Sequence, residues 1–435
     1  MRKALVFLMA LALAGCGDRA RLALEQGIGP APELPPPVHT LIPTVKVAEA
    51  VGWPAGATPV AGPGLAVAPF AQGLDHPRWL AVLPNGDVLV AETNAPERPE
   101  DGKGLKGWFF RMFQKKAGGA VPSANRITLL RDADGDGAAE TRSVLLAGRN
   151  APFGLALAGG TLYVADTDAV LAFPYREGDT VIAADPRRLT GLPAGRRNHH
   201  WTKSLVASPD GRRLYVGIGS NSNVAEHGLA EEEGRAQIWE IDAASGAGRA
   251  FATGLRNPVG MDFEPATGAL WTVVNERDEL GSDLVPDYMT SVVDGGFYGW
   301  PFSYFGDHLD DRIAEADRRP DLVARAIVPD YALGPHTGSL GLAFARGGAL
   351  GPSFASGAFV GQHGSWNRNP RSGYRVIFVP FAGGRPAGPP VEVLTGFLTA
   401  GGKAQGRPVG VAIAGDGALL VADDVGNTVW RVTRR

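Results

Sequence analysis

The chain is poor in cysteine: Cys16 is the only one in 435 residues. An intramolecular disulfide is therefore impossible, and no cysteine pair exists to attach a haem. Net charge is also low, at -3, which argues against nucleic acid as a partner. Long apolar runs are lacking too. The one at the amino terminus, Ala4 to Ala14, falls short of the about 20 residues needed to cross a bilayer. Long segments with helical periodicity are scarce, which removes an α/β fold. Histidine is sparse as well, with eight in the chain, yet His199 and His200 stand side by side.

What the amino terminus does contain is a targeting pattern. Arg2 and Lys3 precede the apolar run, which ends in Leu13-Ala14-Gly15-Cys16. That ending resembles a bacterial lipobox, so residues 1–15 are expected to be a lipoprotein signal peptide and Cys16 the lipidated first residue. Gly17 follows, not Asp, so an inner-membrane retention signal is not evident. The expectation is a chain on the periplasmic side of a bacterial membrane, at the outer membrane, with several acyl chains giving stable anchoring. Residues 16–66 read as a lipidated start and a linker, with Pro30, Pro32, Pro35, Pro36 and Pro37 favouring extended backbone. Such a segment is expected to hold the remaining domain, residues 67–435, away from the membrane.

The 60 glycines are distributed in a pattern that repeats. A small or apolar triplet leads to a turn with Gly and then to a short β-type run. Leu80-Ala81-Val82, Asn85-Gly86 and Val88-Leu89-Val90 form one copy; Leu205-Val206-Ala207, Asp210-Gly211 and Leu214-Tyr215-Val216 form another. Related copies start at Gly154, Gly260 and Gly410, and a looser one at Leu340. Paired β-runs around Asn-Gly or Asp-Gly read as hairpins. Six copies at roughly 50–80-residue spacing predict an all-β, six-bladed β-propeller, with seven blades the nearest competitor. One short helical insertion interrupts it, between Ala95 and Asn125. Trp108, Phe109, Met112 and Phe113 share one helical face there, with Lys106, Arg111, Lys115 and Lys116 around it. That pattern suits an interfacial helix on a lipid surface or a helix packed on a blade.

The chemistry gathers in a few short runs. Asn198-His199-His200 precedes a strand-like run, and Arg256-Asn257-Pro258, Asn275-Glu276-Arg277-Asp278 and Gly295-Gly296-Phe297-Tyr298-Gly299-Trp300-Pro301 follow. A neutral imidazole takes a proton near neutral pH, and a guanidinium stabilises negative charge that develops beside it. The combination suits removal of a proton from a hydroxyl. A propeller would bring such loops together at one end of its channel.

In order and composition these runs resemble the glucose/sorbosone dehydrogenase family, from about Phe70 to Val432 and closest to its sorbosone dehydrogenase branch. The resemblance implies an oxidoreductase: a quinoprotein using pyrroloquinoline quinone (PQQ) and Ca2+ to oxidise a sugar, a sugar aldehyde or a related alcohol. It implies His200 as the general base and Arg256 as its catalytic companion, with a hydride passing to the quinone. Asn257, His363, Trp366 and Arg407 correspond to cofactor contacts, an arginine being suited to a carboxylate through paired hydrogen bonds. The calcium ligands correspond to the backbone carbonyls of Arg277 and Asp278. Relatives carry an acidic residue after the glycine of Gly219-Ser220-Asn221, so a carboxylate partner for His200 is expected from elsewhere. A separate electron acceptor is required.

A second metal site is suggested by Asp132-Ala133-Asp134-Gly135-Asp136-Gly137, which matches the first half of an EF-hand loop. Ser143 stands where the bidentate Glu belongs, with Glu140 as a substitute, so calcium binding and a plain acidic turn both fit. Two other functions share the architecture: a metal-dependent propeller lactonase, and a non-catalytic propeller that binds glycans or proteins.

Overall fold

The computed structural model describes residues 17–100 and 103–435; Cys16 and the apolar run before it lie outside the described residues. Six antiparallel sheets arranged in sequence order form a six-bladed β-propeller, as the repeats predict. Blade 1 comprises Pro77–Val82, Val88–Glu92, Arg126–Arg131 and Thr141–Leu146. Blade 2 runs from Gly154–Ala158 to Arg187–Gly191, and blade 3 from Lys203–Ala207 to Gly248–Thr253. Blade 4 starts at Pro258–Phe263, blade 5 at Ser339–Phe344 and blade 6 at Pro408–Ile413.

The glycine that opens three of the six copies of the repeat has a steric cause. A Cβ on Gly154 would lie 2.5 Å from the Cβ of Leu205, in the inner strand of the next blade. On Gly260 it would lie 2.6 Å from the carbonyl oxygen of Leu340. Inner strands crowd around the axis, and only a missing side chain lets them approach. Farther out, large side chains fill the wedges between blades. Trp271, Val273 and Met289 of blade 4 pack on Leu342, Phe344 and Val360 of blade 5. Leu80 and Val90 of blade 1 pack on Leu420 and Val429 of blade 6. Each sheet thus buries both faces against its neighbours.

The ring closes with a strand that the repeat pattern does not mark. Leu65–Gln72 supplies the outer strand of blade 6, with Leu65 opposite Arg434 and Gln72 opposite Thr428. The proline-rich segment ahead of it is extended but does not stand off as a spacer. Ile28–Gly29 adds to the edge of blade 4 and Val60–Ala61 to the edge of blade 5. Between these, the backbone N–H of Lys46 donates to Trp366 (2.7 Å), and the Trp53 indole donates to Asp423 (2.7 Å). The segment therefore lies across the end of the propeller that carries the loops after each second strand. The helical insertion is Gly104–Lys116, in one of those loops. Trp108 and Met112 are exposed on it.

Candidate active site

His200 sits in the connection from blade 2 to blade 3, just ahead of the inner strand Lys203–Ala207. The connection is fixed from several sides. Arg98 donates to the His199 carbonyl (2.7 Å), Asn198 to Thr167 (2.8 Å), and the buried Lys203 Nζ to the Trp201 carbonyl (3.1 Å). The His200 ring is oriented by its Nδ1, which lies 2.8 Å from the backbone carbonyl oxygen of Ser220. A carbonyl only accepts, so Nδ1 carries the proton and Nε2 is left as the basic nitrogen. Burial, then the positive charge of Arg256, hold the His200 pKa well below its ordinary 6.5. The partner that sequence reasoning sought among carboxylates is a main-chain carbonyl. No side-chain pattern could have revealed it.

Arg256 is buried at the start of blade 4 and locks two loops together. Its guanidinium donates to the Asn223 carbonyl (3.1 Å) and side chain (2.9 Å), and to the Asn275 and Glu276 carbonyls (3.2 and 2.8 Å). Its outer nitrogen lies 3.8 Å from the Asp278 carboxylate. Burial works against the Asp278 charge, but the His336 contact and Arg256 keep its carboxyl below the usual 3.8.

These groups meet at one cavity of about 330 Å³, lined by His199, His200, Asn223, Arg256, Asp278 and Trp366 among others. Trp366, 39% exposed, forms part of the cavity wall. Glu226, His227, Arg197 and Lys103 add polar groups that sequence reasoning had not assigned to the site, and Asn275 joins them from the run already singled out. Asn257 lies buried behind His200, its Oδ1 without a hydrogen-bond partner.

Other candidates go elsewhere. His363 bonds Asp424 (2.9 Å), which also binds Arg78 (2.6 Å) and faces His76 at 3.6 Å. Arg407 belongs beside this second cluster: its guanidinium donates to the Ala48 carbonyl (3.2 Å) and lies over the Tyr374 ring. The N-terminal segment thus covers the arginine that was expected to be a cofactor contact. Arg277 is fully buried, pairing with Glu276 (2.9 Å) and Asp310 (3.2 Å) and donating to the carbonyls of Pro301 and Ser303. The Asp278 carbonyl accepts from Arg312 (2.7 Å) and Asn223 (3.1 Å). Both of its lone pairs are spent, one of them on a cation, so the expected pair of carbonyl ligands for calcium does not fit here. Asp132, Asp134 and Asp136 lie at the opposite end of the propeller, in the turn after Arg126–Arg131. With Glu140 they bring one carboxylate oxygen each to within 4.8 Å of one another.

The profile of the TrAA12-like family matches residues 123–289 and 317–435. The chain is 29% identical to an uncharacterized protein of Borreliella burgdorferi, over 55% of this chain and 62% of that one. It is 25% identical to the pyrroloquinoline quinone-dependent pyranose dehydrogenase of Coprinopsis cinerea, over 85% of this chain and 54% of that one. The chain thus spans 54% to 62% of the length of these relatives. Among solved structures, the PQQ domain of the Coprinopsis cinerea pyranose dehydrogenase superposes with a TM-score of 0.68 at 22% identity. That match covers 89% of this chain and all of that domain, and it shows a shared fold.

Proposed function

The chain belongs to the TrAA12-like family, and we propose that it is a PQQ-dependent dehydrogenase oxidising a hydroxyl or hydrated aldehyde of a sugar. The observation that carries this reading is the fixed tautomer of His200 beside a buried arginine in a cavity of about 330 Å³. Relatives named as PQQ-dependent pyranose and sugar dehydrogenases support the reaction class. Within that class, a sorbosone-like aldehyde is the substrate we favour, on the resemblance of the chain to the sorbosone dehydrogenase branch.

The cavity residues fit the cofactor. Arg256, Arg197 and Lys103 supply positive charge beside the carboxylates of Glu100, Glu226, Asp278 and Glu279, Asn223 and Asn275 supply amides, and Trp366 a partly exposed indole. Bound there, PQQ would supply the acceptor for two electrons. The chain's own contribution is proton handling and charge. Nε2 of neutral His200 takes the proton from the substrate hydroxyl as the C–H bond is broken, and the Ser220 carbonyl stabilises the imidazolium that results. Arg256, held by four acceptors, stabilises negative charge without having to move.

A metal-dependent lactonase would require carboxylates that converge on an ion in the channel. Among the described residues, the group of three or more that converges is the Asp132 loop, at the far end. We propose a structural calcium for that loop. Cys16 is proposed to carry a lipid on the periplasmic side of the membrane, with electrons leaving to a separate acceptor. The deciding experiment adds PQQ to the apoprotein and follows a panel of sugars and sugar aldehydes with an artificial electron acceptor. Quinone-dependent sugar oxidation is expected. Lactone hydrolysis with no quinone requirement would discard the proposal.

A further inference from the structure

Asp18 is two residues beyond Cys16 and is already bound to the propeller. Its carboxylate accepts from the Ser282 backbone N–H (2.7 Å). Its carbonyl accepts from the hydroxyls of Ser282 (3.1 Å) and Thr44 (3.0 Å). It shares a small hollow with Glu279 and Trp366, and both of those also line the His200 cavity. Two residues of chain span about 7 Å at most. Asp18 thus stands beside the cavity mouth, within that reach of the proposed anchor.

The same rim carries the helix Gly104–Lys116, joined to it through Lys103 and Gly107. Its final carbonyl, at Lys116, accepts from Ala50 of the N-terminal segment (2.9 Å). Trp108, Arg111, Met112 and Lys115 follow one helical stripe, and all four are exposed. Trp108 is 51% and Met112 44% exposed, while no acidic residue occurs from Gly104 to Lys116. Two apolar groups flanked by two cations match the headgroup region of an anionic bilayer.

We infer that the cavity face of the propeller docks on an anionic lipid surface, the helical stripe entering the headgroups beside the anchor. The inference rests on the lipid proposed at Cys16 for one of its two contacts; the helix supplies the other independently. It turns the expected arrangement around, because the proline-rich segment binds the catalytic face down where a spacer would hold it clear.

The test uses the full processed chain, with either Met112→Cys or Ala244→Cys labelled by a fluorophore. Ala244 lies exposed in the turn between Gln237–Asp242 and Gly248–Thr253, at the opposite end of the propeller. In phosphatidylglycerol vesicles containing brominated lipid, the label at 112 should be quenched at least about twofold more than that at 244. Equal quenching, or more at 244, would overturn the inference. The mass of the amino-terminal peptide reports the lipid separately. If it is unmodified, the anchoring proposal falls, and the same pair is measured with Cys16→Ser. Vesicle binding with selective quenching at 112 then still supports the docking face, and absence of binding overturns it. Lys115→Glu combined with Lys116→Glu should weaken that binding in either background.

Discussion

The Nδ1 of His200 lies 2.8 Å from the carbonyl oxygen of Ser220, and this contact decides which nitrogen of the ring is free to act as a base. Because the acceptor is uncharged and the ring is buried beside Arg256, the imidazole stays neutral far into acid. The rate should therefore show no protonation of His200 between pH 8 and 6.5, and its acidic limb should lie well below 6.5. His200→Ala should fold, bind quinone and lose about 10²–10⁴-fold in turnover. Quinone titration and stopped-flow oxidation on the same preparation check both halves. Turnover near that of the wild type would remove His200 from the chemistry.

Gly219 marks how tightly that geometry is packed. A Cβ there would lie 2.3 Å from Asn257 Oδ1 and 2.5 Å from His200 Cβ. Gly219→Ala should push the histidine away from its position, and displacement by about 1 Å can cost about 10²-fold in rate. The expected result is a large loss of kcat with a melting temperature that falls only modestly. An unchanged kcat would show that the loop absorbs the methyl group elsewhere.

Much of this was legible in the sequence, and what was not has identifiable causes. The six hairpins could be read because short apolar runs flank a turn whose Gly takes a positive φ, as at Gly86, Gly211 and Gly417. The closing strand Leu65–Gln72 could not, since pairing with Thr428–Arg434 is a contact between opposite ends of the chain. His200, Arg256, Asp278 and Trp366 were legible as types suited to one site, and they do share one cavity. The Ser220 carbonyl was invisible because every residue has one. That Arg407 lies outside this cavity was not legible, because its sequence context shows nothing of Ala48, which accepts its hydrogen bond.

Arg277 links a side chain that looks functional to a structural task. It is fully buried between Glu276 and Asp310 and holds the carbonyls of Pro301 and Ser303. Arg277→Met leaves Glu276 without its ion-pair partner, and breaking a buried pair costs about 3–5 kcal/mol. A lower melting temperature is expected, partly restored by adding Glu276→Gln. Equal stability of wild type and Arg277→Met would contradict the assignment.

His76 gives stability a pH dependence with a defined sign. Burial, outweighing the nearby Asp424 carboxylate, lowers its pKa from 6.5 to about 4. Below pH 6.5 the unfolded chain takes up a proton that the native protein refuses, so stability is lost as pH falls from 6.5 toward about 4. Above 6.5 the contribution is fully present. Melting curves across this window should decline less steeply for His76→Gln than for the wild type. Parallel declines would mean that His76 is not the group responsible.

The acidic turn at the far end of the propeller tests the proposed structural calcium without disturbing the cavity. Asp132, Asp134, Asp136 and Glu140 converge within 4.8 Å. Their oxygens already accept the backbone N–H groups of Gly135 (2.7 Å), Gly137 (2.9 Å), Asp136 (3.1 Å), Ala138 (2.8 Å) and Ala133 (2.7 Å). Those bonds shape the turn, and they leave other carboxylate lone pairs for a hard cation, which calcium takes in sets of six to eight oxygens. A ligand at 100 times its dissociation constant stabilises the native state by about 2.7 kcal/mol. Calcium should therefore raise the melting temperature of the metal-free protein, more than magnesium does, and chelation should reverse the gain. Asp134→Asn should abolish the response while leaving the unliganded melting temperature nearly unchanged, because Asp134 is exposed. Sugar oxidation at 25 °C should be the same in this variant. If calcium shifts wild type and Asp134→Asn equally, the ion is bound elsewhere and the turn is held by its backbone hydrogen bonds alone.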